Sequence, residues 1–220
     1  GVHRSTSHAA VYLMDRVVSR GMVPERSKVQ TFATTCLVLA TKYEENHDEA
    51  PDLVTVVDAS HGVSVKEVVE KEREVLRCVG WALGVYTPLH FAATLFACVG
   101  FCFPRDTRAG NPLPEGAEVV VGRGAELLAN VCARDYDLRS DVRASLTAVA
   151  LVCAARRLAN ILPWWHASLG TASGYAMTAV RDVVGTVETT FRKCVPGPVD
   201  MTTESGVSAA IVAFEMILTN

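Results

Sequence analysis

Nearly every apolar stretch of this chain repeats with a helical period, and almost none alternates. Residues three or four apart share one face of an α-helix, whereas a strand face repeats every second residue. Val65, Val68, Val69, Val75, Leu76 and Val79 mark one such stripe. Ser64-Val-Lys-Glu67 precedes it as a capping box, in which each side chain satisfies a free N–H of the first turn. Upstream, Ala10, Leu13, Met14 and Val17 form the inner face of a helix expected from a Ser5-Thr6-Ser7 cap to Arg20, ended by Gly21. Pro24-Glu-Arg-Ser27 is expected to open the next helix, with Val29, Phe32, Ala33, Cys36, Leu37, Ala40 and Tyr43 inward. Val38 and Leu39 make that helix apolar on its other sides, so it is expected to be central. A short helix follows Pro51, and Thr87-Pro88 reads as a linker because proline disfavours helix in its predecessor. Further helices are expected near 88–102, 117–134, 140–160, 173–193 and 204–218. Phe103 to Gly116, rich in Pro and Gly, reads as a loop, and Val195-Pro-Gly-Pro198 as a break. The expected fold class is all-α.

The chain has 220 residues, 50% of them hydrophobic, and a formal net charge of -3. That suffices for one large domain or two small ones. The mildly acidic balance argues against strong electrostatic binding to nucleic acid. No apolar run reaches the roughly 18 residues of a membrane span, and no signal-peptide pattern opens the sequence. The 7 cysteines lie mostly within apolar runs and form no Cys-x-x-Cys pair, which fits a reducing, intracellular compartment. Cys98 and Cys102 are one helical turn apart, yet no nearby His or Cys completes a four-ligand set, so no metal is expected. No cofactor or catalytic residue is expected either. Gly122-Arg-Gly124 lacks the third glycine and preceding strand of a phosphate cradle, and no Gly-x-Ser-x-Gly elbow occurs. His47 and His61 are expected in solvated loops, and His90 partly buried. Arg139, Arg143, Arg156 and Arg157 are expected on solvated faces. Trp164-Trp165 reads as a capping aromatic pair or a surface contact.

Two charges break the apolar pattern. Glu72 falls on the stripe of its helix, three residues after Val69 and four before Leu76. Lys42 follows Cys36-Leu-Val-Leu-Ala-Thr41, four after Val38 and three after Leu39. Burying a lone charge costs several kcal/mol, so each needs a partner, internal or external. Lys42 either snorkels from its helix end or meets a partner; Glu72 either joins a solvated face, pairs with an internal Arg such as Arg16, or meets a partner.

The halves resemble each other weakly. Val11–Arg20 overlays Ala125–Arg134, and Val29–Thr41 overlays Val142–Ala154, matching Thr34 with Thr147. Small residues let helices approach closely around a central one, which suits a duplicated bundle. In that overlay Lys42 corresponds to Ala155 and Tyr43 to Arg156, so the charged feature belongs to the first half alone.

Leu39-Ala-Thr-Lys-Tyr-Glu-Glu45 is similar to the Leu-Ala-Ser/Thr-Lys-Phe/Tyr-Glu-Glu signature of the cyclin box. Tyr12-Leu-Met-Asp-Arg16 resembles the pattern of the preceding cyclin helix. Glu72-Arg-Glu-Val-Leu76 and Trp81-Ala-Leu83 resemble the fifth helix and its exit, and Thr87-Pro88-Leu-His-Phe91 the link into a second box, especially in D-type cyclins. With the heavy Val, Ala and Arg usage, the resemblance extends to D-type-like cyclins encoded by gammaherpesviruses, murine ones included. It implies two tandem cyclin-box bundles of about five helices each: 1–86 for kinase binding, 87–195 for the second box, and 196–220 as an extension with a helix. The first bundle is expected to lack its N-terminal helix in this chain, because the family's Met-Arg-x-x-Leu-type motif does not occur in it.

The function implied by the resemblance is that of a non-enzymatic regulatory subunit. It would bind and activate a cyclin-dependent protein kinase and drive cell-cycle progression, in the host nucleus. Lys42 and Glu72 would hydrogen-bond the kinase backbone. Leu39, Tyr43, Leu76, Trp81 and Leu83 would line an apolar pocket, and Glu44 and Glu45 would stand on its polar edge. Val29 and Gln30 are what remains of a groove that docks kinase substrates and inhibitors. The other reading is a cyclin-fold transcription adaptor that binds DNA and the polymerase machinery. That reading requires a basic surface.

Overall fold

The computed structural model describes residues 2–219 apart from His47, Glu49 and His61, so the two loop histidines lie outside the described residues. The chain divides into two compact units, Gly1–Thr87 and Pro88–Asn220. Both are helical, as the periodicity predicts.

The first unit holds α1 (Arg4–Ser19), α2 (Val29–Glu44), α3 (Leu53–Asp58) and α4 (Val65–Val79). Helix α2 packs against the other three. It can occupy that place because the polar residues it buries are all small threonines. Thr35 and Thr41 are buried, and their hydroxyls donate to the carbonyls of Thr31 at 2.7 Å and Leu37 at 2.9 Å, one turn back. Phe32, Cys36 and Leu39 pack with Leu13 and Val17 of α1 and with Val75 and Val79 of α4. On the other side, Val38 joins Val56, Val57 and Val68 in a second cluster under α3. Val29 and Tyr43, expected inward, are instead exposed. They stand at the two ends of α2, beyond the reach of the neighbouring helices' apolar stripes.

Two helix starts also differ from expectation. Ser5 to Ser7 lie inside the first turn of α1, and His3 is the N-cap. Pro24 does not open α2; a short 3₁₀ turn, Arg26–Lys28, intervenes. The Ser64–Glu67 capping box forms in full at α4, and Asp52 caps α3 through the Thr55 N–H.

The second unit holds α5 (Pro88–Val99), α6 (Ala117–Cys132), α7 (Tyr136–Ser140), α8 (Ala144–Leu158), α9 (Ala167–Ser173), α10 (Met177–Cys194) and α11 (Glu204–Thr219). Helix α8 is its centre, buried continuously from Thr147 to Arg156 and packed on α5, α6, α9 and α10. The short helices α7 and α9 were not anticipated. Asp135 caps α7 by accepting from Leu138 N, and the His166 ring caps α9 by accepting from Ser168 N. The loop expected over 103–116 contributes two strands, β1 (Thr107–Arg108) and β2 (Asn111–Pro112). They join β3 (Ile161–Leu162) in the order β2-β1-β3, antiparallel throughout. Two-residue strands carry no alternation to detect.

Arg156 was expected on a solvated face and is instead fully buried, with 0% side-chain exposure. It reaches Asp106 through both terminal nitrogens, at 2.7 and 2.9 Å. Its remaining N–H groups meet carbonyls of Phe101 at 2.5 Å, Pro163 at 2.6 Å and Trp164 at 3.1 Å. All five guanidinium donor sites have acceptors, which is what lets a cation sit in a core. The network ties the segment between α5 and β1, and the exit from β3, to the end of α8. Trp164 and Trp165 are half-buried: the Arg157 guanidinium lies 5.7 Å from the Trp164 ring, and Trp165 packs on Gly170 of α9.

Candidate partner-docking site

The residues that the resemblance implies for kinase binding lie in the first unit, on the C-terminal half of α2 and just beyond it, on α4 and on the segment leaving α4. Lys42 and Glu72 meet there, Nζ to Oε1 at 2.5 Å, with side chains 53% and 13% exposed. The reason lies in the pattern. Glu72 occupies the line of Val68, Val75 and Val79, which faces α2, and Lys42 stands one turn beyond Val38 and Leu39. Each charge emerges from an apolar seam and finds the other at its edge. Arg16, the alternative partner for Glu72, is used elsewhere.

Leu39, Leu76 and Leu83 come together in one apolar cluster, Leu39 as its buried floor and the two others half-buried. Tyr43 does not join the cluster and is 57% exposed. Its ring lies beside the exit segment, because a Cβ added at Gly84 would stand 3.1 Å from the Tyr43 hydroxyl. Trp81 is 72% exposed and is set apart from the leucines by the backbone. Gly80 ends α4 at φ 63°, and Trp81 follows at φ 61°, donating to Leu76 O at 2.8 Å. A left-handed Trp costs on the order of 1 kcal/mol or more, so its placement is imposed by the surrounding structure.

That surrounding structure is visible in α1, and spacing alone did not reveal it. The Arg16 guanidinium donates to the carbonyls of Ala82 at 3.0 Å and Gly84 at 3.3 Å. Arg20 donates to Cys78 O at 2.7 Å. The two arginines fasten the end of α4 and the exit segment that carries Leu83. A weak signal existed: both fall four residues apart in a helix whose other face is apolar.

Glu44 is half-buried. Glu45 is engaged within the chain, accepting from the His3 N–H at 2.8 Å and so satisfying the start of α1. Val29 and Gln30 are exposed in the first turn of α2, about 20 Å along the helix from Lys42 at 1.5 Å per residue. Across from them Lys28 pairs with Glu67 of α4 at 2.7 Å. Cys36 is buried beneath the site, and desolvation pushes its thiol up to about 12, so it is a packing residue.

Among the described residues no helix is long and apolar enough to cross a membrane. Nor do they hold a cluster of three or more His, Cys, Asp or Glu placed to bind a metal ion.

Comparison with known proteins places similarity over most of the chain. Residues 1–84 match the family described as Cyclin, N-terminal domain. The chain is 28% identical to Cyclin-D of Ostreococcus tauri over 183 residues, covering 82% of this chain and 48% of that protein. It is 25% identical to G2/mitotic-specific cyclin-B of Spisula solidissima over 186 residues, 84% of this chain and 38% of that protein. It is 24% identical to Cyclin-J-like protein of Mus musculus over 184 residues, 79% of this chain and 46% of that protein. The chain thus spans less than half the length of these relatives. Residues 1–84 are similar to the cyclin N-terminal domain, and about four fifths of the chain aligns with cyclins of these organisms.

Proposed function

We propose that the chain is a regulatory subunit that docks on a cyclin-dependent protein kinase and activates it, transferring no phosphate itself. The observation that carries this reading is the Lys42–Glu72 pair. It is half in solvent, at the edge of a leucine floor, with the exposed aromatic Tyr43 beside it. A mutually neutralised pair that keeps spare donors and acceptors can grip a partner's main chain, while the apolar groups supply area. Docking would hold the kinase's regulatory helix inward, so that its Glu can pair with the ATP-positioning Lys.

The viral, D-type-like assignment rests on the Thr87-Pro88-Leu-His-Phe91 link and on composition. It belongs to this proposal together with action in a host nucleus. So does the docking of kinase substrates or inhibitors at Val29 and Gln30. A DNA-facing adaptor is disfavoured by the net charge of -3.

The test is a pull-down of purified chain against a panel of cyclin-dependent kinases, followed by phosphorylation of histone and retinoblastoma-type substrates. Capture and stimulated phosphorylation are expected, with no kinase activity from the chain alone. Failure to capture any kinase overturns the reading. A sub-micromolar, salt-dependent shift of DNA favours the adaptor.

A further inference from the structure

Beside the Lys42–Glu72 pair, on its other flank, a cleft of ≈ 320 Å³ opens between the end of α2 and the start of α3. Its floor is apolar: Val38, Leu53 and Val56 belong to the small cluster under α3. Its rim carries Lys42, Glu45 and Asp52. We propose that this cleft is a second anchor point for the kinase, receiving an apolar side chain of a kinase segment that bears an arginine or lysine beside it. This rests on the docking function proposed above.

Two observations select that occupant. One is charge. Of the charged residues lining the cleft, Glu45 and Asp52 are acidic while the Lys42 ammonium is neutralised by Glu72, so the field over the cleft mouth is negative and favours a cationic neighbour. Asp52 is ionised at neutral pH, because its bonds to Thr55 hold its carboxyl below the ordinary carboxylate range. The other is continuity. Lys42 lines the cleft and places its ammonium on Glu72, so one side chain separates the two seats. A partner engaging Lys42 therefore covers the cleft mouth, and an unfilled apolar floor there would be a packing loss.

Three variants of the full chain test this by kinase affinity, with circular dichroism as the check on folding. Ala50→Trp fills the cleft from its lip and is expected to weaken binding at least tenfold. Asp52→Asn keeps the helix cap, since Asn caps as well as Asp, but removes the charge. It is expected to weaken binding several-fold and to flatten its salt dependence. It also carries the test should Ala50→Trp fail to fold. Glu72→Gln reports on the first seat independently. Wild-type affinity in both cleft variants, alongside lost affinity in Glu72→Gln, overturns the second anchor and leaves the kinase reading standing. No binding by the wild-type chain overturns both.

Discussion

The Tyr43 hydroxyl stands against Gly84, where an added Cβ would lie 3.1 Å from it. That is tighter than ordinary contact, so the ring must give way if the glycine gains a side chain. The residue leaving α4 thereby decides where an aromatic on α2 points. Because Tyr43 is 57% exposed, its displacement should cost the isolated chain under about 1 kcal/mol. Gly84→Val is therefore expected to leave the urea midpoint nearly unchanged. Kinase affinity should fall about tenfold, ~1.4 kcal/mol. Equal affinity by calorimetry would remove Tyr43 from the docking face.

Lys42 and Glu72 give the opposite separation between folding and binding. In the free chain the pair has one partner half in solvent, where such pairs contribute about 0–1 kcal/mol. Glu72→Gln and Lys42→Met should each change chain stability by no more than that. Under a docked partner the same groups are desolvated, and removing one strands the other at a cost of ~3 kcal/mol or more. A double-mutant cycle on kinase affinity should show strong coupling between the two positions. Additive losses would mean they contact the partner separately.

The sequence revealed the helices and the site's charged centre for the same reason: both are periodic. Glu72 betrays itself by standing in line with Val68 and Val75, and Lys42 by closing an apolar run. Arg156 shows where periodicity stops. It closes the apolar run from Ala148 to Ala155 as a solvated residue would, and its acceptors come from Phe101, Asp106, Pro163 and Trp164, none of which a helical pattern links to it. The Arg16 clip on Ala82 and Gly84 is hidden likewise, since carbonyl acceptors leave no trace in residue identity. Tyr43 and Val29 were read inward because their spacing is right; spacing gives the face of a helix but not where its neighbours end. The two residues that the sequence overlay matches differ in burial: Lys42 is half-exposed and Ala155 is buried.

The Arg156 network predicts a stability effect confined to folding. Arg156→Met strands a fully buried Asp106 and frees three carbonyls, an expected loss of about 3–5 kcal/mol in urea denaturation. Arg156→Lys should restore little, because one ammonium cannot span acceptors placed for a planar fork. A lysine variant as stable as the wild type would show that charge alone, not geometry, holds the site.

Glu67 predicts the acid limb of stability. Its carboxylate accepts from Lys28 and from the Ser64 hydroxyl and backbone, Lys28 being the largest influence, and is lowered from 4.5 to about 2. A depressed folded-state value means the unfolded chain binds the proton more tightly. The contribution of this capping box is therefore complete above pH 4.5, and it is lost as pH falls from 4.5 towards 2. Carboxyl NMR titration should place Glu67 well below the ordinary glutamate range. Lys28→Met should move it back up while leaving the Ser64 bonds in place. A Glu67 titration unmoved by Lys28→Met would show that the Lys28–Glu67 bridge is not populated in solution.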